Sequence, residues 1–213
     1  MTVFDLIERA KAVLQQPIVY RLGSGGMDPD SHTPAGRDGA CDCSGYVAWC
    51  LGLSRMTDEP FYRRFFGADV GWINTDAMAA DIRSDAGILE RLDRPVPGAI
   101  IVYPGPPVRP VGHCGIILRV RDATVTSVIH CSRTNHTATG HAVQVTDAAI
   151  FEAQADTVIG AYTGLQTELE ALQPALSYQD VPSVPTNSRW RRLLWRAAHH
   201  IIRRYVLCQK KTM

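Results

Sequence analysis

At "RPVPG", residues 94–98, the pattern of this chain changes, and the change limits what it can fold into. Upstream the apolar residues recur at helical spacing. Val3, Leu6, Ile7, Ala10, Val13 and Leu14 share one face over residues 2–15, with Thr2 placed to cap and Asp5 three residues on, and Pro17 beyond the end. The same period returns over 43–51, 59–66 and 75–82. Downstream it gives way to short β-rich runs, "AIIVYPG", "GHCGIILRV", "ATVTSVIHCS", "HAVQV" and "TVIGAY", divided by Gly, Pro or polar turns. Helices first and strands after predict an α+β domain, its N-terminal helices packed on a central antiparallel sheet.

With 213 residues, the chain accommodates one such domain and an appendage rather than two full domains. The domain is expected over 1–165. A linker follows over 166–188, marked by Pro174, Pro182 and Pro185, and then a basic amphipathic C-terminal helix over 189–213. Eight Lys or Arg and no acid follow Asp180, which leaves −7 on residues 1–180 against +1 for the whole chain. The tail therefore suits an anionic membrane surface or an acidic protein partner through residues 189–211. Nucleic acid is not expected as a partner, because the body is acidic and carries no binding motif. The first 17 residues have acids and no continuous apolar stretch, so they do not read as a signal peptide, and no run reaches the ~20 apolar residues of a membrane span. Synthesis in the cytoplasm is expected, with any route to another compartment left open.

The stretch "CDCSGYVAWCL", residues 41–51, carries the chemistry. Cysteine attacks as thiolate, and a free thiol with a pKa of about 8.5 needs a helix N-terminus or an imidazolium to reach that form at neutral pH. Cys43 stands where a Gly- and Pro-rich loop becomes a helix, whose first N–H groups are unpaired and whose dipole favours negative charge. Cys41 precedes the helix and Cys50 lies two turns into it. Asp42 reads as the helix N-cap, and Ser44 and Gly45 are small enough to leave space for a substrate carbonyl. A buried cysteine at a helix start is the ordinary alternative. The clustered Cys and His lack the C-x2-C spacing of tetrahedral zinc sites, so neither a metal nor a cofactor is expected.

The histidines weigh against the ordinary alternative. "GHCGIILRV" and "ATVTSVIHCS" read as a hairpin with a tight turn near residues 121–123. A turn centred between Arg121 and Asp122 pairs residues whose numbers sum to 243, which sets His113 across from His130 on one face and Cys114 and Cys131 on the other. Packing the Cys43 helix on the histidine face gives a Cys–His–His relay: His113 takes the thiol proton and His130 orients His113. Cys114 and Cys131 are then expected to face each other behind the sheet, reduced or as a disulfide.

These residues resemble a known family. "DCSG" at 42–45 is similar to the signature of NlpC-type cell-wall cysteine peptidases, which are papain-like, and "GHCGIIL" at 112–118 is similar to their G-H-V-G-I strand. "VIHCS" resembles the strand that carries the third polar catalytic residue, Tyr20 with "GSGG" resembles a Y-x-x-G-G element near the oxyanion site, and "VPGAIIVYP" resembles a P-G-D strand with Ala99 in place of the acid. The likeness spans about residues 2–163. It implies a papain-like fold and a hydrolase acting on the stem peptides of peptidoglycan, with Cys43, His113 and His130 catalytic and Tyr20 and Ser44 at the oxyanion and substrate site. Two further expectations stand beside it: a thiol acyltransferase acting on lipids or small amides, and a non-catalytic binding module.

Overall fold

A computed structural model of the chain describes residues 1–67 and 69–166. The expected linker, apart from its first residue, and the expected basic helix 189–213 lie outside the described residues.

In chain order the elements are α1 (Val3–Lys11), β1 (Val19–Tyr20), β2 (Ala40–Cys41), α2 (Cys43–Cys50), β3 (Met56–Thr57), α3 (Pro60–Phe66), β4 (Gly71–Trp72), α4 (Thr75–Ser84), β5 (Leu89–Arg91), β6 (Ile100–Tyr103), β7 (His113–Arg121), β8 (Thr124–Cys131), α5 (Arg133–Thr139), β9 (Val143–Thr146), α6 (Ala149–Glu152) and β10 (Val158–Tyr162). The fold is mixed α+β. Its main sheet has six strands in the order β5-β10-β6-β7-β8-β9, every neighbouring pair antiparallel.

The first four helices start close to where the sequence places them, for local reasons. Thr2 and Asp5 form a reciprocal capping box at α1, with Asp5 N–H donating to Thr2 Oγ1 at 3.1 Å and Thr2 N–H to Asp5 Oδ2 at 2.8 Å. Asn74 caps α4 through Ala77 N–H at 2.9 Å. All eight residues of α2 are buried, the mark of a central helix covered on every side rather than a surface helix with one apolar stripe. Tyr46 fixes it to α1, its phenol donating to the Ala10 carbonyl at 2.8 Å.

The sheet is covered on both faces. On one, Ile100, Val102, Cys114, Ile116, Ile129 and Cys131 join Leu6, Val47, Met78 and Ile82 in the principal core beneath α1, α2 and α4. On the other, Ile101, Ile117, Val125 and Val128 form a smaller core with Ala148 and Phe151 of α6. Successive residues of β6 go to opposite cores, as the two-residue period of a strand requires.

The β7–β8 hairpin corrects the expected register. Asp122 and Ala123 both have positive φ, 49° and 61°, in a two-residue loop, so the turn centres one residue later than expected. Ile116 faces Ile129 and Ile117 faces Val128, a sum of 245 rather than 243. Moving a turn centre by one residue moves the pairing by two, so every side chain keeps its face. Ala123 carries a Cβ in a conformation that disfavours one; its exchange for Gly is expected to stabilise the protein by about 0.5–1 kcal/mol in urea unfolding, the gain from removing that clash less the added freedom of the unfolded chain.

Candidate active site

Cys43 is the first residue of α2, and the loop before it determines how it is held. Asp42 is buried, with 1% of its surface exposed. Its Oδ1 accepts from Gly45 N–H at 2.8 Å, capping the helix, and from the Ser44 hydroxyl at 3.2 Å. Its Oδ2 accepts from Gly23 N–H at 2.6 Å and from Arg55 Nη2 at 2.8 Å. Arg55, also buried, donates to the Ser24 carbonyl at 2.9 Å and lies 4.7 Å from the Trp72 ring centre. The "GSGG" loop thus closes directly on α2. A Cβ on Gly45 would stand 2.7 Å from the Ser24 carbonyl oxygen, and one on Gly26, at φ +71°, would stand 2.3 Å from the Gly45 carbonyl oxygen, so both positions require glycine.

His113 and His130 come together at the end of the hairpin. His113 Nε2 and His130 Nδ1 are 2.7 Å apart, and the rings meet edge to face with centroids at 4.8 Å. They are diagonal rather than directly opposite. Continued by one step, the register sets Gly115 across from His130, and a Cβ on Gly115 would lie 3.0 Å from His130 Cβ. The missing side chain at Gly115 gives the His130 ring space to lean along the sheet towards His113. Phe151 stacks on His113 at 5.4 Å and meets His130 edge-on at 6.0 Å.

The face on which α2 packs differs from the expectation. Cys114 and Cys131 share the principal core with α2, whereas the two imidazoles lie on the side of Phe151. Cys43 still neighbours His113, because α2 starts beside the first residue of β7, and Cys114 and His113 are the groups that draw its pKa down. Cys131 donates to the Cys41 carbonyl at 3.4 Å, and all five described cysteines are free thiols.

This packing separates the thiols chemically. A hydrogen bond from Cys114, together with the charge and hydrogen bond of His113, outweighs burial and brings the Cys43 thiol down to about 5. Cys114 moves the opposite way, raised by its own burial and by the Cys43 thiolate, so it keeps its proton and remains the donor. Burial likewise raises Cys50, and a hydrogen bond with Cys41 together with burial raises Cys131. Burial and the nearby charge of His113 lower His130 to about 3, which keeps it neutral wherever Cys43 is a thiolate.

Two cavities adjoin at Val111 and Gly112, the residues just before His113. One, of about 300 Å³, holds Cys43, Trp72, Asn74 and Asp76. The other, of about 440 Å³, holds Tyr20, Tyr103, His113, His130 and Arg133. Tyr20 therefore lines the cavity of the two histidines, next to the one that holds Cys43. Burial and the negative charge of Cys43 raise the pKa of Tyr20, so its phenol remains a donor. Ser44 does not offer its hydroxyl to the cleft, since that group donates to Asp42 and accepts from Arg55 Nη2 at 2.8 Å. Sequence reasoning missed Arg55, Phe151 and Thr146, whose Oγ1 is 3.0 Å from His130 Nε2. Of these only Arg55 left a trace, as a cation thirteen residues after an acid with no shared periodicity.

No family model matches the chain, and no curated protein matches it. Among solved structures, one titled "The crystal structure of Ly7917" aligns at 15% identity with a TM-score of 0.44, over 76% of this chain and 63% of that one. The chain thus spans less than two thirds of that structure's length.

Two outcomes are expected. Among the described cysteines, alkylation by iodoacetamide will be confined to Cys43 and will accelerate as pH rises through about 5, because the thiol is protonated below that value and a thiolate above it; Cys114→Val removes a donor to the thiolate and will move this midpoint upward, as peptide mapping against pH will read. Arg55→Met leaves Asp42 buried without its cation and will cost roughly 3–5 kcal/mol in urea unfolding, part of which the double variant with Asp42→Asn will restore.

Proposed function

We propose that this chain is a papain-like thiol hydrolase of the NlpC type that cleaves an amide bond in peptidoglycan stem peptides. The observation that carries the reading is a thiol at a helix tip that neighbours His113, whose Nε2 is 2.7 Å from a second imidazole; Cys114 and His113 draw the thiol pKa down. In this mechanism the Cys43 thiolate attacks the substrate carbonyl carbon. The Cys43 N–H at the start of α2 and the Tyr20 phenol donate to the resulting oxyanion. His113, protonated in the ion pair, gives its proton to the departing amine, and a thioester to Cys43 remains. Water, deprotonated by His113, then releases the acid and restores the thiol.

The reaction type rests on this geometry, and the substrate class on the likeness of "DCSG" and "GHCGI" to the cell-wall peptidases. Two cavities that share Val111 and Gly112, one lined by Cys43 and the other by His113 and His130, suit an extended peptide.

Incubation with purified sacculi, followed by mass spectrometry of the soluble fraction, tests the proposal. Muropeptides cut at one amide are expected, with Cys43→Ala slower by roughly 10⁴-fold or more. Acyl exchange to an added amine or lipid acceptor without net release would assign a transferase. Intact wall material with an unreactive Cys43 would leave a binding module.

A further inference from the structure

Both ring nitrogens of His130 are engaged. Nδ1 is 2.7 Å from His113 Nε2, and Nε2 is 3.0 Å from Thr146 Oγ1. A threonine hydroxyl has one proton, and giving it to the Asp147 carbonyl at 2.8 Å, which can only accept, is the arrangement that satisfies both of the hydroxyl's contacts. Towards His130, Thr146 therefore presents only lone pairs, so His130 must carry its proton on Nε2 and leave Nδ1 bare. A bare His130 Nδ1 requires the proton of neutral His113 to sit on Nε2. The one ring nitrogen then left without a proton is His113 Nδ1.

We propose that Thr146 is a positioning residue which, acting through His130, sets the tautomer in which His113 offers a bare Nδ1 to the Cys43 thiol. The inference rests on the catalytic reading of Cys43 and His113. The proton count closes: the Cys43 S–H bond breaks, its electron pair stays on sulfur, and the proton forms a new N–H bond at His113 Nδ1. His113 then holds two N–H groups, one facing the thiolate and one facing the His130 lone pair, and no proton moves at the Thr146 end. The opposite tautomer of His130 would point an N–H at His113 Nε2. Neutral His113 would then have its proton on Nδ1, aimed at the thiol it has to deprotonate, and its imidazolium would meet a second N–H.

The fold holds this chain of bonds in place. Thr146 is on β9, where Val128 faces Thr146 and His130 faces Gln144, so the hydroxyl reaches His130 along a diagonal. Asp147, whose carbonyl takes the hydroxyl proton, is tied down by Ala149 N–H donating to its Oδ1 at 3.2 Å. Phe151 packs against both imidazoles, stacked on His113 and edge-on to His130. Around the pair, Asp42, Tyr20, Tyr103 and Cys114 are the titratable neighbours, with Arg133 and Asp147 in the adjoining cavity.

Two measurements on the full chain test the proposal, neither needing a wall substrate. Long-range ¹H–¹⁵N correlation of histidine-labelled wild type at neutral pH is expected to show His130 protonated on Nε2; protonation on Nδ1 overturns the proposal without any variant having to fold. In iodoacetamide titrations of Cys43, Thr146→Val is expected to raise the midpoint by about one pH unit and so to slow alkylation at pH 5 by about fivefold, while Thr146→Ser stays within about twofold of wild type. Thr146→Val overlaying wild type overturns it. If wild type shows the expected tautomer and titration yet releases nothing from sacculi, the proposed substrate fails and the role of Thr146 stands.

Discussion

One buried carboxylate holds three separate pieces of chain. Asp42 caps α2, accepts from Gly23 in the preceding loop, and pairs with Arg55 from the segment after the helix. Four donors satisfy its two oxygens, which is what allows a charge to be buried so completely. Because Cys43 is its neighbour in sequence, the same contacts fix the sulfur. An acid this close also opposes the thiolate, and the structure offsets that opposition with hydrogen bonds from Cys114 and His113 rather than by moving the acid away.

The hairpin supplies the second half of the site by a different means. Strand pairing fixes the backbone, but the two imidazoles meet because Gly115 leaves a gap across from His130 and Phe151 closes over the result. A neutral His130 suits this position. It can accept a hydrogen bond from His113 without adding a second positive charge beside it.

Much of this was legible in the residues. The capping of α1 and α2 follows from Thr2 with Asp5 and from Asp42, because caps act over three residues. The shared face of His113 and His130 was legible from strand parity, which survives a two-residue slip. The slip arose because Asp122–Ala123 lacks the glycine that usually marks a turn of this kind. What could not be read depends on distant packing: which face of the sheet α2 covers, the union of Asp42 with Arg55, and the use of the Ser44 hydroxyl inside that union. Neither α5 nor α6 stood out in a strand-rich region, since each is two turns or fewer and takes its stability from what it packs against.

The meeting of the two cavities at Val111 and Gly112 has an evolutionary corollary. Groups that would recognise one flank of a bound chain, such as Trp72 and Asn74, arise from segments remote from those on the other flank, Tyr20 and Arg133. In the proposed hydrolase, selectivity on the two flanks would then be set by different residues. Only the Val111–Gly112 strap is common to both, and Gly112 is squeezed so tightly between Thr75 and the Tyr103 carbonyl that variation there is confined to its neighbour.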